Sequence, residues 1–326
     1  MARGTPHIHR PLAFVTGGEG FLGRHVVRAF ADDGWTAIAI GRGRLSEQEG
    51  RNWRLAASFR GAVSRTLLEQ AAAEHGNPQV VVHAAGFASV ARSAAEPNES
   101  FAQTVASTSE LANFALALPH RPHLMLISSA AIYGDAWAGP IPATASPAPI
   151  SIYGQHKLAA EQTLLGTAEH GCTVTIVRLF SVFGPWLRKQ LLWDVLVRAY
   201  QGQNPVRLGG DGRELRDFLF VEDAAGLVLH LIGRPVAERN IFNGGRGEPV
   251  SVAAIVRELF DVANLNVDFA FSGEPRPGDP RSLVADVSCL NALGFRPQTA
   301  LRHGLHRFVA WAERELLAQR PRLPTN

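Results

Sequence analysis

The chain has 326 residues, of which 46% are hydrophobic and 19% charged, and its formal net charge at pH 7 is +3. This balance is typical of a globular protein that is long enough for one large α/β domain or two smaller ones. The arginines are scattered singly, which argues against a nucleic-acid-binding protein, and no apolar run of about 18 residues predicts a membrane-spanning helix.

The two cysteines, Cys172 and Cys289, lie far apart in the sequence. They fit neither a disulfide framework nor the spacing of a metal site, so we expect no bound metal and a reducing compartment. The N-terminal residues show no apolar run typical of a secretory signal. These observations together favour a cytoplasmic protein.

Strand-like and helix-like runs alternate along the first half of the chain. Strands are predicted at residues 11–16, 36–40, 80–83, 124–128 and 173–179. Helices are predicted at residues 21–32, 100–118 and 153–167. Continuous apolar strands that alternate with helices are typical of a parallel sheet covered on both faces, so the sequence predicts a doubly wound α/β fold of Rossmann type.

The turn between the first strand and the first helix is rich in glycine, with the sequence TGGEGFLG at residues 16–23. Two spacings are possible, one starting at Gly17 and one at Gly18. Glycines in this context let the backbone approach a pyrophosphate that sits on the helix N-terminus. We therefore predict a dinucleotide site that uses Gly17, Gly20, Phe21, Leu22 and Gly23.

The second strand ends in Gly41 and Arg42, where a carboxylate would bind the adenosine ribose of NAD. An arginine in that place suits the 2′-phosphate of NADP, because a guanidinium pairs well with phosphate. The alternative is that Arg42 is an ordinary surface arginine. We favour NADP as the cofactor, with NAD possible.

The segment SIYGQHKLAAEQ, at residues 151–162, holds one of only two lysines in the chain. Tyr153 and Lys157 are four residues apart and so share one helix face. A nearby ammonium lowers the pKa of a phenol towards neutral pH, which would make Tyr153 an acid-base catalyst. The alternative is a tyrosine packed on the helix beside a solvated lysine.

Two serines, Ser128 and Ser129, end the preceding strand. Open α/β sheets bind ligands at the carboxyl ends of parallel strands. A serine hydroxyl there can hold a substrate oxygen beside the phenol. Arg188 and Lys189, the second lysine, are interpreted as exposed helix charges, and the alternative is that they line the nucleotide pocket.

These motifs resemble those of the extended short-chain dehydrogenase/reductase family, specifically its nucleotide-sugar epimerases, dehydratases and ketoreductases, over nearly the whole chain. The matching segments are residues 16–23, His83-Ala84-Ala85-Gly86, Ser129 with Tyr153 and Lys157, RLFSVFGP at 178–185, GDGRELRDFLFVED at 210–223 and EPRPGD at 274–279. The resemblance implies that Ala84, Ala85 and Gly86 lie beside the cofactor. It also implies that Ser129, Tyr153 and Lys157 are catalytic and that Tyr153 and Lys157 contact the cofactor.

The resemblance further implies that the substrate is a nucleotide-diphosphate sugar bound by Ser129, Ser181, Arg216 and Arg276. Ser181 and Thr104 each stand where the family usually has asparagine, and residues 57–63 lack the usual acidic contact to adenine. Ser129-Ala130-Ala131 lacks the acidic pair of 4,6-dehydratases, so elimination of water is not expected.

Hydride transfer at C4 of the sugar is the expected chemistry, and the favoured reaction is reduction of a 4-keto sugar nucleotide. One alternative is a 4-epimerase with tightly bound NAD, and another is a dinucleotide-binding redox sensor without catalysis. The nucleotide and the sugar stay open. Helices 100–118 and 153–167 resemble those that pair in dimeric relatives, so a homodimer is expected.

The proposed domain division follows the same resemblance. Residues 1–180, with about 217–246 returning to them, are predicted to form the NAD(P)-binding Rossmann domain. Residues 181–216 and 247–326, rich in proline and glycine near 184–185, 209–212 and 274–280, are predicted to form the smaller substrate-binding domain.

Overall fold

The computed structural model of the chain describes residues 10–135, 137–232, 239–274 and 278–318. Within these ranges the strands are β1 (Leu12–Thr16), β2 (Thr36–Gly41), β3 (Ala57–Arg60), β4 (Val80–His83), β5 (His123–Ser129), β6 (Val174–Leu179), β7 (Ser181–Phe183), β8 (Val206–Leu208), β9 (Leu215–Arg216), β10 (Phe218–Phe220), β11 (Arg239–Gly244), β12 (Val250–Ser251), β13 (Phe269–Phe271) and β14 (Ser282–Leu283). The helices are α1 (Phe21–Asp32), α2 (Glu47–Asn52), α3 (Arg65–His75), α4 (Val90–Ala95), α5 (Pro97–Phe101), α6 (Ser107–Ala117), α7 (Ile152–Gly166), α8 (Gln190–Tyr200), α9 (Val221–His230), α10 (Val252–Val262), α11 (Ser288–Ala292) and α12 (Leu301–Ala318).

The central sheet of the described chain has seven strands in the order β11-β6-β5-β4-β1-β2-β3. All of its strand pairs are parallel. β1 lies between β2 and β4, so successive connections run outward in opposite directions from β1 and leave a crevice at its carboxyl end. The predicted doubly wound Rossmann-type fold is confirmed.

Alternate residues of each sheet strand enter two separate hydrophobic cores. In β1, Phe14 packs in one core with Phe114 of α6 and Leu164 of α7. The next residue, Val15, packs in the other core with residues of α1 and α9. Because both faces of the strand are covered, its sequence is continuously apolar rather than alternating.

A third core is built from the second half of the chain. It joins α8, α10 and α12, with Leu196, Val256 and Phe308 among its fully buried members. Together with Phe183 and Phe218 these residues form a packed unit of the kind expected for a smaller domain. The domain boundaries themselves stay a prediction.

Two features differ from the predicted elements. β3 was not predicted because it is an edge strand of four residues in which only Phe59 is buried. The predicted helix at 100–118 is interrupted by a π-helical turn at Ala102–Ala106. Within residues 217–246, α9 packs against the sheet and β11 joins its edge.

A buried ion pair anchors α7 to the central sheet. Glu161 of α7 and Arg178 of β6 are 1% and 4% exposed, and Nη2 of Arg178 lies 2.7 Å from Oε2 of Glu161. Ser128 of β5 also donates to Glu161. Arg178 donates from Nη1 to the Tyr133 hydroxyl at 3.0 Å, so the guanidinium is satisfied on both sides.

Among the described residues, none of the helices combines the length and the apolar character that crossing a membrane requires.

Replacing Glu161 with alanine should destabilise the protein strongly, because it leaves the buried Arg178 guanidinium without its counter-ion. We expect the free energy of unfolding to fall by about 3–5 kcal/mol. The matched control is Glu69→Ala, which breaks the ion pair with Arg65 on the exposed face of α3 and should cost at most about 0.5 kcal/mol. Urea denaturation of both variants makes the comparison, and equal losses would contradict the structural role of the buried pair.

Candidate active site

A cavity of about 1010 Å³ opens at the carboxyl edge of the central sheet. Its wall includes Gly17 after β1, Ala84 after β4 and Ser129 at the end of β5. On the side of the third core the cavity is closed by Ser181, Arg216 and residues near 279. The cavity therefore lies where the strand order reverses, which is the ligand-binding position in open α/β sheets.

The glycine-rich turn forms one wall of the cavity and leaves no room for side chains. Gly17 has φ +68°, and a Cβ placed on it would lie 2.8 Å from the Ala85 nitrogen. A Cβ on Gly23 would lie 2.0 Å from the Gly17 oxygen. A Cβ on Gly18 would instead meet Ala39 of the sheet, so the spacing that faces the cavity is Gly17, Gly20 and Gly23.

The N-terminus of α1 points at this wall without a side-chain cap and without an acidic residue in its first turn. Its free N–H groups and the helix dipole favour an anion. Phe21 and Leu22 also line the cavity. The turn is therefore shaped and charged to hold the pyrophosphate of a dinucleotide.

The loop after β4 forms the neighbouring wall with Ala84, Ala85 and Gly86. It is held from below, because the Ala85 N–H donates to Thr16 Oγ1 at 3.3 Å. The Phe87 N–H donates to Thr104 Oγ1 at 3.1 Å. The threonine that departs from the family pattern thus positions this loop through a hydrogen bond.

Tyr153 and Lys157 project from the first turns of α7 into the same cavity as Ser129. Ser151 caps this helix, since its hydroxyl accepts from the Gly154 N–H at 3.1 Å. A Cβ on Gly154 would lie 2.5 Å from the Ala131 oxygen. This glycine lets the helix start pack directly against the segment that follows β5.

The ionisation of these two groups differs from the sequence expectation. Burial raises the pKa of the Tyr153 phenol, and a hydrogen bond with Ser129 lowers it by a smaller amount. The expected lowering by Lys157 is not found. The Lys157 ammonium donates to the Ile127 carbonyl at 2.9 Å. Burial lowers the pKa of Lys157 itself to about 8, against the opposing effect of Glu161.

The structure distinguishes between the two serines at the end of β5. Ser128 is 3% exposed and donates to Glu161, so it belongs to the network under α7. Ser129 lines the cavity, and its hydroxyl accepts from the Ala131 N–H at 3.2 Å. Ser129 is therefore the serine that can meet a substrate oxygen beside Tyr153.

The predicted arginines have different surroundings. Arg42 lines the cavity but is paired with Glu99 at 3.0 Å. Arg216 also lines it, and its guanidinium is paired with Asp279. Ser181 lies in the wall on β7, whereas Arg276 lies outside the described residues.

Lys189 lines the cavity, which is the interpretation that the sequence analysis placed second. Arg188 pairs with Glu315 at the surface, as an exposed charge does. Lys189 instead lines the cavity, and burial lowers its pKa. Both lysines of an otherwise arginine-based chain thus reach one cavity, and the scarcity of lysine was the available sequence signal.

In the part of the chain that the structure describes, no group of three or more His, Cys, Asp or Glu side chains could hold a metal ion.

Comparison with known proteins assigns the family. Residues 13–245 match the model of the NAD dependent epimerase/dehydratase family. The chain belongs to this family. The predicted resemblance to nucleotide-sugar epimerases and their relatives is therefore confirmed.

Similar members of the family are nucleotide-sugar enzymes by name. The chain is 27% identical to the probable UDP-glucuronate 4-epimerase of Rhizobium meliloti (strain 1021), with 91% of this chain and 95% of that protein covered. It is 30% identical to the UDP-glucose 4-epimerase of Azospirillum brasilense, with 94% and 93% covered.

Two solved structures are similar over almost their whole length. MoeE5 in complex with UDP-glucuronic acid and NAD is 30% identical, with a TM-score of 0.82 and with 93% of this chain and 99% of that chain covered. The UDP-glucose 4-epimerase of Thermotoga maritima with UDP-glucose is 27% identical, with a TM-score of 0.84 and 94% and 99% covered.

Two buried histidines, one on α1 and one at the end of β4, make stability depend on pH. Burial lowers the pKa of His83 to about 3 and that of His25 to about 4. Histidines in an unfolded chain titrate near pH 6.5. Below that pH the unfolded state binds more protons than the folded state, so the free energy of unfolding decreases as the pH falls towards 4.

The variant His83→Gln tests this linkage. Glutamine can hydrogen-bond Thr16 as His83 does, but it does not titrate. The free energy of unfolding is measured by urea denaturation between pH 7 and pH 5. In the variant it should decrease less steeply with falling pH than in the wild type, by up to about 1.4 kcal/mol per pH unit. The control, His303→Gln, removes an imidazole on the exposed face of α12 and should keep the wild-type slope. An unchanged slope in the His83 variant would contradict the assignment.

Proposed function

We propose that the protein inverts the configuration at C4 of a uridine-diphosphate sugar and uses NAD as its resident cofactor. The observation that carries this proposal is the presence of Ser129, Tyr153 and Lys157 in one cavity with the glycine-rich turn. The names of the similar family members support both the substrate class and NAD. They favour the epimerase alternative over the reduction that the sequence analysis preferred.

The residues present fit a dinucleotide. Gly17, Gly20 and Gly23 let its pyrophosphate approach the N-terminus of α1. The turn is folded so tightly that a side chain at Gly17 or Gly23 would collide with main chain. Ala84, Ala85 and Gly86 would flank it on the side of β4, and Lys157 lies against Gly86. When bound, the nicotinamide supplies the hydride acceptor and donor that C4 chemistry needs.

Tyr153 moves the proton of the C4 hydroxyl. In the oxidation half of the reaction the phenolate oxygen takes this proton, and in the return half the phenol gives it back. Ser129 holds the same substrate oxygen and hydrogen-bonds the phenol. Because the pKa of Lys157 is about 8, its ammonium is mostly charged at pH 7 and stabilises negative charge in the cavity.

Charged residues at the other end of the cavity suit the diphosphate of the substrate. Arg216 lies in the wall, and its ion pair with Asp279 would be shared with the phosphate oxygens. We assign the same role to Arg276 from the family resemblance, and Lys189 adds a third positive charge. Ser181 would contact the sugar nucleotide from β7.

Membership in a family of enzymes argues against the redox-sensor alternative. A homodimer is part of this proposal, since Phe101 and Ile150, near the start of the helices expected to pair, are 50% and 48% exposed. The cytoplasmic location stays a prediction. The NADP preference of the sequence analysis is replaced in this proposal by NAD, the dinucleotide named for the similar structure.

Replacing Tyr153 with phenylalanine tests the role of the phenol. Turnover of the sugar nucleotide should fall by about 10²–10⁴-fold, because the proton carrier is lost. Binding of NAD, measured by calorimetry, should persist. The matched control is Tyr200→Phe, since the Tyr200 hydroxyl bonds Glu313 away from the cavity, and it should keep wild-type turnover. Retained activity in the Tyr153 variant would exclude this mechanism.

Two measurements test the reaction class: the identity of the bound cofactor and the incorporation of deuterium at C4. Protein purified without added cofactor should release NAD on denaturation, identified by mass spectrometry. UDP-glucose and UDP-glucuronate, incubated in deuterium oxide, should give C4 epimers without deuterium at C4, because the hydrogen on carbon is returned rather than exchanged. Stoichiometric consumption of NADPH with a 4-keto sugar nucleotide would identify a ketoreductase instead.

A further inference from the structure

We propose that Glu19, in the glycine-rich turn, recognises the adenosine ribose and makes the protein select NAD against NADP. This inference rests on the dinucleotide site of the proposed function. It assigns to the turn a task that a carboxylate at the end of the second strand performs in other dinucleotide-binding sheets. Here that strand ends in Gly41 and Arg42.

The Glu19 side chain occupies the space beside the missing carboxylate. A Cβ built on Gly43, just after β2, would lie 2.4 Å from Cβ and 2.6 Å from Oε2 of Glu19. On the other side, Ser58 of β3 donates its hydroxyl to Oε1. The carboxylate therefore lies between the chain leaving β2 and the edge strand β3, next to the Gly41 and Arg42 part of the cavity wall.

One oxygen of this carboxylate lacks a donor. Oε2 of Glu19 is buried and has no hydrogen-bond partner among the described residues. Arg24 donates to the main-chain oxygens of Glu19 and Gly20 rather than to the carboxylate. A buried, unpaired carboxylate oxygen is costly, so a donor from a bound molecule would be favourable. The vicinal hydroxyls of a ribose provide such donors.

Charge at this end of the cavity opposes a 2′-phosphate. That group would bring additional negative charge against the Glu19 carboxylate. Arg42, the cation expected to receive it, is already paired with Glu99 at 3.0 Å. At this end of the cavity the carboxylates of Glu19 and Glu99 therefore face the single guanidinium of Arg42. The local charges favour a ribose with free hydroxyls.

Binding of NAD and NADP to protein freed of dinucleotide tests the inference without using turnover. Isothermal titration calorimetry on the wild type should give tighter binding of NAD. In Glu19→Gln and Glu19→Ala the ratio of the two dissociation constants should shift towards NADP by about ten- to a hundredfold, the size of a charge-assisted hydrogen bond. The matched control is Glu47→Gln, which removes an almost fully exposed carboxylate from α2 and should leave the ratio unchanged.

The alternative is tested with Arg42→Ala. If the wild type prefers NADP, if only the Arg42 variant loses that preference, or if the Glu19 variants keep the wild-type ratio, Glu19 does not select the cofactor. A wild type that prefers NADP would also contradict NAD as the resident cofactor of the proposed function. Unchanged ratios in the Glu19 variants would leave the proposed epimerase standing, because NAD still binds. Failure of the wild type to bind either dinucleotide would overturn both proposals. Thermal denaturation of each variant verifies that the fold is retained.

Discussion

The ion pair between Glu161 and Arg178 is the interaction on which the arrangement of the site depends. It is almost wholly excluded from water, so it persists only where both partners and their neighbours are in register. Glu161 lies one helical turn beyond Lys157 and two beyond Tyr153. When the pair holds α7 on the sheet, it also sets the distance of these two side chains from Ser129 on β5.

The second constraint is close backbone packing around the crevice. Gly17 approaches Ala85, Gly23 approaches the Gly17 carbonyl, and Gly154 approaches the Ala131 carbonyl. Each contact brings main chain to a place where a Cβ would collide. The resulting cavity joins a helix N-terminus suited to an anion with a buried phenol and lysine, and the proposed chemistry combines these two halves.

The sequence and the structure agree most closely where a residue's task is set by its nearest neighbours. The apolar strands and the helix that follows the glycine-rich turn were predictable from periodicity, whereas β3 was too short and too exposed. Arg42 was assigned to a phosphate because only its position after β2 was visible. Its partner Glu99 is 57 residues away, and Glu19 approaches β3 only in the folded chain.

The amino-acid sequence by itself determined the doubly wound sheet, the glycine-rich turn and the pairing of Tyr153 with Lys157, because each depends on spacing along a strand or a helix. Only the tertiary structure decided that the Ser128 hydroxyl is bonded to Glu161 under α7, that Lys189 enters the cavity, and that burial raises the pKa of Tyr153. These properties depend on contacts between residues far apart in the chain and on the exclusion of water by folding. Local sequence patterns specify neither of them.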